Sequence, residues 1–258
     1  MKIFAIGDPH LSFGEGVQKP MDIFGGQWVG HTEKLEQNWR AEVRPEDTVI
    51  LCGDISWGLK LEEARADLDW IHDLPGKKLL FKGNHDLWWQ AISRLNRLYD
   101  DGTMLFLQNR CFVAEDPESG RRAAICGTRG WTCPGSEGFG DHDRKIYERE
   151  LLRLRFSLEE GRRSGAEQLI GVLHFPPTND MQQESGFTQL MREYGVKTCV
   201  YGHLHGKDAY RHGMQGIYNG VEYRLVSLDY VEGMPREILD LNRDPAPGEK
   251  KNSKEGLE

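Results

Sequence analysis

Residues 78–86 read Lys-Leu-Leu-Phe-Lys-Gly-Asn-His-Asp. The apolar run at 78–81 predicts a short buried strand, and the Gly-Asn-His-Asp sequence after it predicts a loop with three polar side chains. Stretches with helical periodicity lie on either side, at residues 61–74 and 87–98. Alternation of short strands with helices predicts a parallel sheet that has helices on its faces.

The same alternation extends in both directions along the chain. Further strands are predicted at residues 2–6, 48–51, 105–108, 111–114, 123–126, 169–173, 198–200, 216–219 and 222–228, and further helices at 33–43, 145–158 and 186–194. The strands between 105 and 126 are joined by turns, which favours antiparallel pairing among them. Together these elements predict an α/β fold in which two packed sheets are flanked by helices.

One domain is predicted over residues 1–242. It contains two irregular loops, at 11–30 and 129–143, which are rich in glycine and aromatic residues. Loops of this length are usually functional or disordered, so a substrate lid is one open interpretation. Residues 243–258 combine proline, glycine and charge, and we expect them to form a flexible C-terminal tail.

The composition narrows the classes of function. The chain has 258 residues and a formal net charge of −8, which disfavours non-specific binding to free nucleic acid. No run approaches the ~20 apolar residues of a membrane-spanning helix, and the N-terminus becomes polar too early for a signal peptide. Five cysteines, an odd number, indicate reduced thiols. These features predict a cytoplasmic protein that has no membrane partner.

Residue types that bind metals recur directly after the predicted strands. They are Asp8 and His10, Asp54, Asn84 with His85 and Asp86, His174, and finally His203 and His205. Because ligands bind outside the carboxyl ends of parallel strands, five separate loops should deliver these side chains to one edge. In the pairs Asp8/His10 and His203/His205, an extended backbone would point both side chains the same way.

The chemistry of these residues indicates which ions would bind. Carboxylate and imidazole ligands together suit Mn²⁺, Fe²⁺ or Zn²⁺ better than Mg²⁺ or Ca²⁺. About seven potential ligands are too many for one tetrahedral ion and suit two ions that share a carboxylate. Two such ions can hold a bridging hydroxide and stabilise an in-line phosphoryl displacement. Two transition-metal ions, Mn²⁺ first among them, are therefore the expected cofactors.

Five short motifs occur in a characteristic order. They are Asp8-Pro9-His10, Gly53-Asp54, Gly83-Asn84-His85-Asp86, His174 and Gly202-His203-Leu204-His205. In this order they resemble the calcineurin-like metallophosphoesterase superfamily, and they span residues 7–206. The resemblance implies a four-layer α/β/β/α sandwich with a dinuclear metal centre. Because the second motif continues as Ile-Ser-Trp-Gly at 55–58, the small bacterial phosphohydrolases fit better than the protein phosphatases.

The resemblance also implies a role for each matching residue. Asp8, His10 and His205 would hold the first ion, Asp54 would bridge the two ions, and Asn84, His174 and His203 would hold the second. His85 would contact the phosphate or protonate the leaving group. Asp86 would orient His85, since a nearby carboxylate fixes the tautomer of an imidazole. The sequence also allows Asp86 to be only the N-cap of the helix predicted at 87–98.

Other residues have a structural and a functional interpretation. The five tryptophans in or beside the loops and motifs are core residues or an aromatic wall that stacks a base or sugar; they are Trp28, Trp57, Trp88, Trp89 and Trp131. Arg129 is expected to be a solvated surface residue, and its alternative is contact with a second phosphate or ester group. The histidines outside the motifs are expected to be structural.

The leading hypothesis is a phosphoesterase that hydrolyses a small phosphomonoester or phosphodiester through attack by the metal-bridging hydroxide. One alternative is a nuclease of the same fold, which the net charge of −8 disfavours. Another is a non-catalytic scaffold that binds metal, which the intact motif containing His85 disfavours. The sequence leaves the physiological substrate and the oligomeric state open.

Overall fold

The computed structural model describes residues 1–243. The predicted tail at 243–258 therefore lies outside the described residues, apart from Arg243, whose guanidinium lies 3.2 Å from the Asp240 carboxylate. The strands of the described part are β1 (Lys2–Ile6), β2 (Thr48–Leu51), β3 (Lys77–Phe81), β4 (Met104–Leu107), β5 (Cys111–Glu115), β6 (Arg122–Gly127), β7 (Gln168–Val172), β8 (Thr198–Tyr201), β9 (Gly216–Tyr218), β10 (Val221–Leu225) and β11 (Arg236–Asp240). The helices are α1 (His31–Glu42), α2 (Leu61–His72), α3 (Ile92–Leu95), α4 (Asp141–Arg163), α5 (Gly186–Glu193) and α6 (Gly206–Tyr210).

The strands form two mixed sheets. The first has the order β11-β1-β2-β3-β4, with β1 to β4 parallel and β11 antiparallel to β1. The second has the order β5-β6-β7-β8-β10-β9, with β6, β7, β8 and β10 parallel and the two edge strands antiparallel. Each sheet therefore has a parallel centre, whose carboxyl ends form one edge where loops can carry ligands.

The alternation of side chains along β6 shows how the layers pack. Ala123 and Ile125 join the apolar cluster that contains the first sheet, whereas Ala124 and Cys126 join the cluster that contains Leu154 of α4. Successive residues of a strand point to opposite faces, so the second sheet lies between the first sheet and α4. Helices α1 and α2 pack against the first sheet through the same first cluster. The predicted α/β fold with two packed sheets and flanking helices is confirmed.

The prediction of a helix at residues 87–98 is wrong. Only the single turn α3 is helical there, because the segment before it turns to bury two adjacent tryptophans. Trp88 and Trp89 are buried, whereas Leu87 is exposed. The Trp88 indole donates a hydrogen bond to Asp86, and the Trp89 ring lies 5.3 Å from that of Phe106. Tertiary packing of these two indoles overrides the helical periodicity of the sequence.

The pairing predicted for the middle strands is correct only in part. β5 and β6 pair antiparallel, but β4 is parallel to β3 and belongs to the other sheet. Strand β11 was not predicted, because its sequence Arg-Glu-Ile-Leu-Asp has few apolar residues. It forms one edge of the first sheet. Helix α4 begins at Asp141, four residues before the prediction, so the loop predicted at 129–143 ends at residue 140.

All five cysteines are unpaired, as the odd count predicts. Within residues 1–243, no helix combines the length and the apolar character needed to cross a bilayer.

Candidate metal centre

The polar residues that follow the strands converge at one edge of the sheets and form two groups. The first group contains Asp8, His10 and His205, and the second contains Asp54, His174 and His203. In each group one ligand atom per residue lies within 4.8 Å of the others. The loops after β1, β2, β7 and β8 therefore meet, as expected for the carboxyl ends of parallel strands.

In the first group, two imidazoles face each other over a carboxylate. The Nε2 atoms of His10 and His205 lie 3.4 Å apart, and the Nε2 atom of His205 lies 4.0 Å from Oδ1 of Asp8. On its other side, Nδ1 of His205 lies 2.9 Å from Oδ1 of Asp229. Because the protonated Nδ1 donates a hydrogen bond to this carboxylate, Nε2 carries the lone pair, which points into the group.

In the second group, His174 is held in the same manner by a backbone carbonyl. Its Nδ1 atom lies 2.9 Å from the carbonyl oxygen of Cys52. Its Nε2 atom lies 2.7 Å from Oδ1 of Asn84 and 3.4 Å from Oδ2 of Asp54. Asn84 therefore joins the second group.

Asp54 lies between the two groups. Its Oδ2 atom is 3.9 Å from Nε2 of His10 in the first group and 3.4 Å from Nε2 of His174 in the second. Its Oδ1 atom accepts a hydrogen bond of 2.8 Å from the backbone N–H of His85. One carboxylate oxygen is thus fixed by the backbone while the other faces both groups.

Four of these residues have a left-handed backbone conformation, which residues other than glycine rarely adopt. The φ angles are 57° at Asp8, 46° at His10, 51° at Asp54 and 74° at His203. The extended backbone assumed for the pairs Asp8/His10 and His203/His205 is therefore wrong. Asp8 and His10 still enter the same group, but His203 and His205 enter different groups.

Glycines before the ligands allow the loops to approach each other closely. A Cβ atom on Gly202 would lie 2.5 Å from Oδ2 of Asp8, and one on Gly83 would lie 2.1 Å from Oδ1 of Asp54. Both distances are shorter than van der Waals contact, so the glycines of these motifs are required by packing around the carboxylates.

Burial and charge act differently on the two imidazoles of each group. Burial lowers the pKa of His10 and of His203 to about 3. Burial also acts on His174 and His205, but nearby carboxylates outweigh it: Asp54 raises the pKa of His174 to about 9, and Asp229 raises the pKa of His205. Each group thus combines one imidazole whose pKa is lowered, so that it stays neutral, with one whose pKa is raised, so that it binds a proton more readily.

These donor sets fit metal ions. The buried Nε2 atom of His10 faces a second imidazole nitrogen, and Nε2 of His174 faces two oxygen acceptors. Such clusters of lone pairs in a buried site need a cation or additional protons at their centre. Carboxylate oxygens and imidazole nitrogens are the ligands that transition metals prefer.

Asp86 does not occupy the position that the sequence indicated. Its buried carboxylate accepts hydrogen bonds from the backbone N–H groups of Gly83, Asp54, Ile55 and Ser56. Within residues 1–243 it makes no hydrogen bond to the His85 ring, and the helix that it would cap is absent. Asp86 instead holds the loop that carries Asp54 and the loop that carries Asn84 together through these hydrogen bonds. The expectation that it orients His85 is therefore corrected.

His85 lies at the mouth of the site beside an aromatic cavity of about 400 Å³. Its ring is 4.7 Å from that of Trp57 and 5.7 Å from that of His10. The 11–30 segment supplies much of the opposite wall, including Phe24 and Trp28. Trp28 and Trp57 line this cavity, and Trp28 also belongs, with Trp88 and Trp89, to the apolar cluster of the first sheet.

Two other residues around the site have structural contacts. His31 lies between the carbonyl oxygens of Pro9 and Trp28, each 3.1 Å from one ring nitrogen, and so connects the 11–30 segment to the first motif.

Asp229 was not identified from the sequence. It follows the strand predicted at 222–228, so the rule that located the other polar residues after strands would also have located it.

Comparison with known proteins identifies the family of this chain. The sequence pattern of the calcineurin-like phosphoesterases matches residues 1–207. The Gene 66 protein of Mycobacterium phage D29 is 40% identical over 225 residues, which cover 82% of this chain and 87% of that protein. The Gene 66 protein of Mycobacterium phage L5 is 45% identical over 56 residues, which cover 22% of this chain and 27% of that protein.

Among solved structures, the phosphopantetheinyl hydrolase of Mycobacterium tuberculosis has a similar fold. The TM-score is 0.55 at 18% identity, and the match covers 95% of this chain and 98% of that one. At this identity the likeness concerns the fold alone. The matching pattern covers most of the chain and includes every motif that supplies the two groups. The chain therefore belongs to the calcineurin-like phosphoesterase family, a family of metal-dependent hydrolases.

Proposed function

We propose that the chain is a dinuclear metal-dependent phosphoesterase that hydrolyses a small phosphomonoester or phosphodiester. The observation that carries this proposal is the position of Asp54. One of its oxygens lies within 4 Å of an imidazole from each group, at 3.9 Å from His10 and 3.4 Å from His174. A carboxylate shared in this way is what two neighbouring ions require.

In this proposal each group holds one ion. Asp8, His10 and His205 bind the first, Asn84, His174 and His203 bind the second, and Asp54 contributes to both. When bound, two such ions supply Lewis acidity to the phosphoryl oxygens and lower the pKa of a bound water. Mn²⁺ is the first candidate, with iron or Zn²⁺ as alternatives, because the ligands mix carboxylate and imidazole.

His85 is proposed as the residue that contacts the phosphate or gives a proton to the leaving oxygen. Its backbone N–H donates a hydrogen bond to Asp54, which holds the main chain of His85 against the shared carboxylate. The side chain is exposed at the mouth of the aromatic cavity, where a leaving group can reach it. An imidazole that a leaving group can reach is suited to act as a general acid.

The aromatic cavity is proposed to hold the organic part of the substrate. Trp28, Trp57 and Phe24 give it flat apolar walls, and its volume of about 400 Å³ suits a small molecule. The net charge of −8 disfavours a long nucleic acid. We place the catalytic unit within residues 1–242 and the protein in the cytoplasm, where unpaired thiols are the rule.

Hydrolysis of p-nitrophenyl phosphate and bis-p-nitrophenyl phosphate tests the proposal. The protein is stripped of metal with a chelator, dialysed, and assayed with and without Mn²⁺. We expect activity toward at least one ester only when Mn²⁺ is restored, and the ratio of the two rates assigns the mono- or diester class. Equal rates with and without metal, or no turnover despite two bound ions, would contradict the proposal.

A further inference from the structure

A second cavity of about 400 Å³ lies beside the metal centre and is strongly basic. Lys82, Arg129, Arg149 and Arg153 line it, and Glu150 is its one carboxylate. It shares no lining residue with the aromatic cavity. Four positive side chains around one cavity repel each other, so the arrangement is favourable when an anion is present.

Two of these cations have no anionic or hydrogen-bonding partner among the described residues. Among the residues that the structure describes, neither Lys82 nor Arg129 forms an ion pair or a side-chain hydrogen bond. The Nε atom of Arg129 is buried without an acceptor, and so is the indole Nε1 of Trp89, which also lines the cavity. Buried donors without partners are costly in a folded protein, and they indicate a ligand that accepts hydrogen bonds.

Glu150 does not supply that acceptor. Its buried carboxylate is already engaged by Arg149 at 3.2 Å, by Arg153 at 2.8 Å and by the hydroxyl of Thr128. Glu150 therefore positions the two arginines of α4. Neither Lys82 nor Arg129 forms an ion pair with it among the described residues.

The cavity adjoins the second group of the metal centre. Lys82 stands two residues before Asn84 in the loop after β3. The backbone carbonyl of Arg129 accepts a hydrogen bond of 2.9 Å from the backbone N–H of His174. The Arg129 guanidinium also lies over the Trp131 ring, 4.5 Å from its centroid, which restrains the side chain. The loops that line this cavity therefore also carry ligands of the second group.

We propose that the basic cavity binds a second phosphate group of the substrate, so that the enzyme prefers small esters that carry two phosphate groups. One phosphate would lie at the metal centre and the other against Arg129 and Lys82. Arginine suits this task because its guanidinium donates several hydrogen bonds to phosphate oxygens in fixed directions. This inference rests on the proposed phosphoesterase function for the position of the first phosphate.

A series of bisphosphonates measures the separation of the two sites. Inhibition of p-nitrophenyl phosphate hydrolysis is compared for methylphosphonate and for alkane bisphosphonates with one to six methylene groups. We expect at least one chain length to inhibit ten-fold or more tightly than methylphosphonate. Arg129→Met or Lys82→Met should bring this ratio close to one, because losing one charged hydrogen-bond partner typically costs about 10-fold or more in affinity. Arg155→Met, on α4 but outside the cavity lining, is the matched control and should keep the ratio.

Calorimetry with inorganic phosphate tests the cavity independently of catalysis. The full chain carrying Asp54→Asn, which weakens the metal centre, should still bind phosphate, and adding Arg129→Met should abolish this binding. If wild-type protein hydrolyses neither p-nitrophenyl ester, the phosphoesterase proposal fails while retained phosphate binding still supports an anion site. Absence of phosphate binding to the Asp54→Asn chain, or no bisphosphonate tighter than methylphosphonate, would overturn the inference.

Discussion

Oδ1 of Asp229 lies 2.9 Å from Nδ1 of His205, so a carboxylate 24 residues downstream fixes which imidazole nitrogen faces Asp8 and His10. Its other oxygen accepts hydrogen bonds from the backbone N–H of Gly206 and from the Tyr210 hydroxyl. Asp229 is therefore held rigidly from two sides. Carboxylates in this position orient a metal-binding histidine and increase its basicity.

We expect Asp229→Asn to weaken binding of one of the two ions by about 10- to 100-fold, the usual effect of losing such a partner. The second ion should bind as in the wild type, because Asp229 has no contact with His174 or His203 among the described residues. Metal content after dialysis against graded Mn²⁺ concentrations measures both affinities. Asp208→Asn, an exposed substitution on the adjacent helix, is the control. Two ions of unchanged affinity would show that Asp229 has no positioning role.

Substitution of His85 should separate chemistry from metal binding. His85→Gln removes an exposed imidazole whose ring has no hydrogen bond among residues 1–243, so both ions should remain bound. If His85 protonates the leaving group or contacts the phosphate, kcat falls by about 100-fold or more. The measurement is kcat together with metal content, and His212→Gln, outside the aromatic cavity, is the control. An unchanged kcat would remove His85 from the mechanism.

Asp86→Asn should act on stability rather than on the leaving group. The carboxylate accepts four backbone N–H groups and the Trp88 indole, and an amide would present its own N–H groups to some of these donors. We expect a loss of about 3 kcal/mol in the free energy of unfolding, since buried donors would lose a charged acceptor. Urea unfolding measures it, with exposed Asp100→Asn as the control. Wild-type stability combined with an altered pH dependence of kcat would instead favour an orienting role toward His85.

Lys78 makes the stability of the fold depend on pH. Its amino group donates to the carbonyl oxygens of His72 and Leu74 inside the protein, and burial lowers its pKa to about 8. Between pH 8 and 10.5 the unfolded chain binds the proton more strongly, so the free energy of unfolding attributable to Lys78 rises with pH. Relative to Lys78→Met, the wild type should gain up to about 3 kcal/mol from pH 7 to 10.5 in urea unfolding. Lys77→Met is the matched control, and parallel pH profiles for wild type and Lys78→Met would contradict this account.

The sequence indicated which residues come together at the candidate site better than it indicated the backbone conformation of the loops that carry them. Buried strands followed at once by Asp, Asn or His are a local signal, and the parallel sheet brings these strand ends together whatever the loops do. The left-handed conformations of Asp8, His10 and His203 leave no such signal, because tertiary contacts impose them. An extended backbone would point His203 and His205 the same way, whereas the folded chain places them in different groups.

The errors in the fold have similar causes. The periodicity of residues 87–98 suits a helix, but burial of Trp88 and Trp89 against the first sheet outweighs it. Strand β11 has a weak apolar pattern, and its pairing with β1 depends on a partner more than 230 residues away. Arg129 was expected at the surface, whereas its buried Nε atom lines a basic cavity, since only the folded chain brings α4 beside the loops after β3 and β6.

Titration of the stripped protein with Mn²⁺ tests the dinuclear centre most directly. Bound ions per chain and the rate of p-nitrophenyl ester hydrolysis are measured on the same samples, for the wild type and for Asp54→Asn. With Asp54 shared between the two groups, activity should reach its plateau only when two ions are bound, and Asp54→Asn should bind fewer ions and lose activity with them. Full activity with one bound ion, or an Asp54→Asn protein with two ions and wild-type activity, would contradict the account.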